Sequence, residues 1–224
     1  MRTPRRDDGG GGGGDDWLGT YADAITLLLA FFVMLLTFSE FDVAAFEQVQ
    51  AEIASAISGE EVTTPTMRLN EEIGTMLGDL GVDSADTASA RMDDLGVVLE
   101  FADLDFFAPN SAQINPIGLA ILERVAAILS SPRFRFYTVS VEGHTDDTPL
   151  GEDSPWSTHW QMAAARANAV LEILARDGVR PNRMRAVSYG DTRPKAPNID
   201  VYGNALPENQ ALNRRVVILL RRAR

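Results

Sequence analysis

The sequence has no cysteine among its 224 residues, which excludes a disulfide framework, a thiolate metal site and a cysteine nucleophile together. Its two histidines stand in no HExxH or comparable ligand spacing, and no nucleophile elbow is present, so neither a metal centre nor a hydrolytic triad is indicated. Net positive charge is also lacking. With 32 acids against 20 basic residues the formal charge is -12, which argues against a general nucleic-acid binder, because phosphate neutralisation needs a basic face. The remaining composition, 45% hydrophobic, 8% aromatic and 23% charged, lies near the globular average and permits a core. The length fits one folded domain plus about 70 further residues.

The charge is unevenly spread. Residues 1–39 carry three Arg and five Asp, residues 40–110 two Arg and sixteen acids, and residues 111–224 fifteen basic and eleven acidic side chains. The segments therefore differ in character: a near-neutral start, a middle at -14 and a C-terminal part at +4.

From Trp17 to Phe38 the chain reads WLGTYADAITLLLAFFVMLLTF, with Asp23 its only charge. Twenty-two residues at 1.5 Å each cover a hydrocarbon core of about 30 Å, and Ile25 to Leu36 shows no polar face beyond Thr26. A transmembrane helix over 17–39 is predicted. A cleaved signal peptide is disfavoured by the long, Asp-containing lead and by the lack of an A-x-A-like site after the apolar run. Arg2, Arg5 and Arg6 precede the helix and the next basic residue is Arg68, so residues 1–16 are predicted to be a cytoplasmic tail and the rest to lie outside the cytoplasm. A carboxylate at Asp23 costs about 2.5 to 3.5 kcal/mol on insertion scales. Two explanations stand: an interfacial acid tolerated by local thinning, or an ion-binding group facing a partner helix or a wet path. Beyond the helix, Phe46, Val49, Ile53 and Ile57 recur at 3-4-4 spacing, predicting an amphipathic helix within 40–58. It can serve as a connector, a dimer stem or a regulatory element. Residues 59–94 read as an acidic linker with a weak helix around Leu69 to Leu80.

The C-terminal part has the pattern of an α+β domain. Strands are predicted at Gly96 to Phe101, Phe134 to Gly143, Arg185 to Tyr189 and Arg215 to Leu220. Helices are predicted from Pro116, with Leu119, Leu122, Val125, Ala126 and Leu129 inward, and from His159 to Arg176, stopped by Gly178. This βαβαββ order implies helices on one face of a small mixed sheet. Polar residues concentrate in Gly143-His144-Thr145-Asp146-Asp147, followed by His159 and Arg166. A strand-end Asp and a helix Arg on facing elements suit a zwitterion, ammonium on carboxylate and guanidinium on carboxylate. An internal Asp146-Arg166 salt bridge stapling loop to helix is the competing explanation.

VEGHTDD, then the run from Trp156 through Trp160 and Met162 to RANAV, then N-R-R-V-V-I resemble the OmpA-like peptidoglycan-binding domain over residues 95–221. Joined to WLGTYADAITLLLAFFVML, the whole chain resembles the MotB/PomB family, the B subunits of the flagellar stator, and FFVMLLTFSEFDVAAF looks closer to the sodium-driven type. The resemblance implies a non-enzymatic, single-pass inner-membrane protein with a periplasmic C-terminal domain and no cofactor beyond a transported proton or sodium ion. It implies a MotA/PomA-like membrane subunit, a second copy of the chain and peptidoglycan as partners. By the same resemblance Asp23 is the ion-carrying carboxylate, and residues 41–57 match the plug that blocks leak before assembly. Asp146 and Arg166 match the pair that binds the diaminopimelate of the wall peptide, with Thr145 and Arg214 in support. The family usually has Asn-Trp where this chain has His159-Trp160, so His159 replaces that contact as a donor or makes it pH dependent. A static wall tether, and an ion-driven complex outside the flagellum, remain as alternative functions.

Overall fold

A computed structural model describes residues 16–38, 49, 50, 53, 56, 63–82, 88–102, 106–108 and 111–223. The amphipathic segment expected within 40–58 lies outside these except for Val49, Gln50, Ile53 and Ala56, which are helical. Two compact units are formed, Met1–Phe41 and Asp42–Arg224. In the first, helix α1 (Asp16–Phe38) contains a stretch, Trp17–Leu35, long and apolar enough to cross a membrane, with a mean hydropathy of 1.9. Among its large apolar side chains, Leu27, Leu29, Phe31 and Met34 are more than half exposed, as suits a helix whose solvent is hydrocarbon.

The second unit begins with α2 (Pro65–Asp79), capped by Thr64, whose side chain accepts from the Met67 amide at 3.1 Å. Leu69, Ile73, Met76 and Leu77 recur on one helical face and are buried in the main core. The Thr66 hydroxyl also meets the Tyr137 hydroxyl at 2.8 Å. Strand β1 (Ala88–Asp93) then pairs antiparallel with β2 (Gly96–Ala102), and Asp93 Oδ1 fixes the turn by accepting from Leu95 N at 2.9 Å. The weak helix expected around Leu69 to Leu80 is therefore present, as α2, and the reading of its surroundings as linker is corrected, since α2 packs into the core and β1 joins the sheet. The acids Glu71 and Glu72 belong to the outer face of a packed helix, and β1 is an edge strand of small and polar residues in which only Ala88 is buried.

Next come α3 (Pro116–Ser130), β3 (Tyr137–His144), α4 (His159–Arg176), β4 (Met184–Gly190), the short α5 (Pro207–Asn213) and β5 (Arg215–Arg222). The strand expected from Phe134 starts at Tyr137, because Pro132–Phe134 forms a 3-10 turn. In α3, Ile121 rather than Leu119 takes the buried position. The sheet order is β1-β2-β5-β3-β4, with all neighbours antiparallel except β3 and β4, which α4 connects in parallel. Period-two alternation sends Val97, Leu99, Phe101, Val139, Val141, Val216, Ile218 and Leu220 into the core with α2, α3 and α4, while Val98, Val217 and Leu219 cluster on the opposite face. The predicted α+β class with helices on one face of a mixed sheet holds.

Candidate functional site

The polar loop expected to carry the site leaves the end of β3, where strand and helix approach closely. A Cβ on Gly143 would stand 2.2 Å from the Ala163 carbonyl oxygen, so only glycine allows β3 this near α4. Beside it, Gly190 at the end of β4 has φ +54, and a Cβ there would lie 3.2 Å from Trp160 N. The Gly190 carbonyl accepts from Thr145 N at 2.8 Å. The Ser188 hydroxyl donates to the Trp160 carbonyl at 2.7 Å, which ties both strand ends to the first turn of α4. That turn is capped by Thr158, whose hydroxyl accepts from Gln161 N at 3.2 Å, while Gln161 Oε1 accepts from Ser157 N at 2.8 Å. These two bonds form a capping-box-like pair.

Asp146 is buried, 5% exposed. Its Oδ2 pairs with Arg214 and accepts from the Thr148 hydroxyl at 3.0 Å, and its Oδ1 accepts only a long bond of 3.3 Å from Thr148 N. Arg214 is positioned through its neighbour Asn213, which is fully buried. Asn213 Oδ1 accepts from Lys195 N and Ala196 N, and its amide nitrogen donates to the Ala196 carbonyl and to Asn198 Oδ1. One turn earlier, Gln210 donates to Asp147 Oδ1 at 3.0 Å, so α5 and the loop after β3 are held at two points.

Arg166 is 1% exposed. Its Nε donates to the Ser111 carbonyl at 3.0 Å and its guanidinium lies 5.2 Å over the Phe107 ring. The structure therefore replaces the Asp146-Arg166 staple considered from sequence. Asp146 is bonded to Arg214, and Arg166 ties α4 to the segment before α3. Thr145, 3% exposed, and the half-buried His159 complete the sequence-derived set. Thr145 Oγ1 and His159 Nδ1 are buried without a hydrogen-bond partner, unmet polar capacity that a ligand can fill.

Sequence reasoning missed Asn213, Thr148 and Ser111. Asn213 was visible as the first letter of N-R-R, but its work is done on backbone atoms that no spacing rule reveals. His144 stacks on Tyr189 with ring centroids 5.1 Å apart, and its Nε2 lies 3.8 Å from Glu142 Oε2. No group of three or more His, Asp or Glu suited to a metal occurs among the described residues. Asp23 sits exposed on α1, where its carbonyl accepts from the Thr26 hydroxyl at 2.9 Å.

Comparison with known families matches residues 2–57 to the membrane MotB of the proton-channel complex MotA/MotB, and residues 106–203 to the OmpA family. Motility protein B of Helicobacter pylori strain 26695 is 29% identical over 225 residues, covering 91% of this chain and 84% of the relative. A peptidoglycan-associated lipoprotein of Agrobacterium fabrum is 32% identical over 124 residues, 55% of this chain and 66% of that protein. The solved periplasmic domain of Helicobacter pylori MotB superposes with a TM-score of 0.51 at 33% identity, covering 60% of this chain and 79% of that one. An apolar N-terminal helix matched by one model, a mixed-sheet domain matched by the other and a relative aligned along nearly the whole chain place this protein in the MotB-like family, with an OmpA-like domain at its C-terminal end.

Proposed function

We propose that the chain is the ion-conducting, wall-anchored B subunit of a flagellar-motor stator. The observation that carries this reading is the union, in one chain, of a bilayer-length helix whose only charge between Trp17 and Phe38 is Asp23 with an OmpA-like domain. The match of residues 2–57 to membrane MotB supports it. In this reading two copies of the chain assemble with a MotA/PomA-like subunit, the N-terminus is cytoplasmic and the C-terminal domain is periplasmic. Asp23 takes up and releases a proton or a sodium ion, which accounts for a carboxylate kept within a bilayer. Residues 41–57 act as the plug.

On the periplasmic side, Asp146 and Arg166 recognise the diaminopimelate of a wall peptide. A ligand ammonium joins Asp146 at Oδ1, the oxygen with the weaker bond, while Thr145 Oγ1 and His159 Nδ1 accept or donate to the peptide. Arg214 holds the carboxylate in place. A static tether is favoured by one finding, the likeness of the C-terminal half to a peptidoglycan-associated lipoprotein. Asp23→Asn separates the two readings, since it keeps the shape and removes the titration. Motility should vanish while membrane insertion and pelleting with purified peptidoglycan persist. Cells that swim normally with Asp23→Asn would leave the tether as the better account.

A further inference from the structure

Strand pairing builds a second polar concavity on the sheet face turned away from the helices. One row runs across all five strands as Arg91, Val98, Leu219, Ser140 and Arg185. Arg221 and Arg215 lie on the same face of β5, two residues beyond and four residues before Leu219. Val98, Val217 and Leu219 floor a cavity of about 580 Å³, rimmed by these arginines together with Arg193 and Lys195.

The charge in this cavity is only partly compensated, with five arginines and Lys195 against three acids. Glu100 pairs with Lys195 of the same rim, Glu142 faces His144 at 3.8 Å, and Asp93 caps the β1-β2 turn. None of the five arginines forms an ion pair among the described residues. Arg185 donates to the Ser140 hydroxyl, Arg215 to the Asn213 and Arg193 carbonyls, and Arg193 lies 4.2 Å over the Tyr189 ring. Two buried nitrogens in the lining, His144 Nδ1 and Arg221 Nε, have no hydrogen-bond partner, and His144 is only 4% exposed. Burial pulls the Arg215 pKa down, against the raising effect of Glu100 and Glu142, so Arg215 sits where solvent screens it little.

We propose that this cavity is a ligand site for a multivalent oxyanion, a phosphate or a cluster of carboxylates, distinct from the Asp146 site. Guanidinium forks match such oxygens two at a time. Arg91 and Arg185 stand at the two ends of the row, with Arg215 and Arg221 on the central strand between them. The test is calorimetric titration of the full-length protein in neutral detergent with inorganic phosphate and, separately, with citrate, at constant ionic strength. Saturable binding of at least one is expected, and the stronger of the two names the class. Arg91→Glu and Arg185→Glu alter exposed side chains, so folding is preserved, and at least one of the two should weaken binding about tenfold or more. Arg124→Glu, on the solvent side of α3, makes the same change in net charge and should bind as the wild type does. No saturation with either anion, or equal weakening by Arg124→Glu, overturns the proposal.

Discussion

Gly143→Ala tests the junction on which the Asp146 site is built. The added Cβ would lie 2.2 Å from the Ala163 oxygen, 2.8 Å from its carbonyl carbon and 3.0 Å from its Cα. Ordinary contact needs about 3.5 Å, so α4 must retreat from β3 by about 1 Å. The obstacle is helix backbone, and no side-chain rotation relieves it. Retreat also strains the Ser188-Trp160 and Thr145-Gly190 bonds and moves Arg166, three residues past Ala163, off Ser111 and Phe107. Overpacking costs about 1 to 3 kcal/mol where side chains can adjust; against backbone the cost should reach about 3 kcal/mol or more. At about 2 to 4 °C per kcal/mol for a domain of this size, the melting temperature should fall by about 6 °C or more. Gly151→Ala is the control, because nothing lies within 4 Å of the added methyl, and it should stay within about 1 kcal/mol of wild type. Thermal unfolding of the two variants side by side decides the matter: a Gly143→Ala domain melting within about 2 °C of wild type would refute the packing argument.

The Asp146-Arg214 pair has side-chain exposures of 7% and 27%, between the exposed and the buried cases. A double-mutant cycle with alanine at each position should give a coupling of about 1 to 3 kcal/mol by urea unfolding; additive single effects would remove the pair from the account of the site. Leu69→Ala should cost about 2 to 5 kcal/mol, as for a core leucine, whereas an unchanged unfolding midpoint would return residues 65–79 to the status of linker. Burial raises the Tyr137 pKa and the Thr66 hydrogen bond opposes this, so the native state keeps its phenolic proton to higher pH than the unfolded chain does. Stability from this group is intact below about pH 10, the ordinary tyrosine value, and falls as pH rises beyond it. Tyr137→Phe should flatten that decline, and an unaltered slope in alkaline unfolding curves would count against it.

Local chemistry was enough for much of this molecule. A 22-residue apolar run is legible because a bilayer sets its length, and α3 and α4 are legible because Pro116, Thr158 and Gly178 mark their ends while their apolar residues recur at helical spacing. The strands of VVLEF, YTVSV and RVVIL announce themselves by β-branched alternation. The residues of the Asp146 site could be singled out because polar side chains concentrate where a strand gives way to a helix.

Tertiary structure decided what those signals could not carry. Residues 59–94 read as an acidic linker with one weak helix around Leu69 to Leu80; that Leu69, Ile73 and Met76 of this helix belong to the main core follows only from its packing against β1 and β2. Asp146 had two arginines to choose from, and the choice of Arg214, 68 positions away, follows from α5 and the buried Asn213 network rather than from any spacing. The row from Arg91 to Arg185 is the clearest case, since its five members come from five strands and are neighbours only because antiparallel and parallel registers align them. Sequence fixes which side chains a strand offers to each face; the order in which strands pair fixes which charges meet.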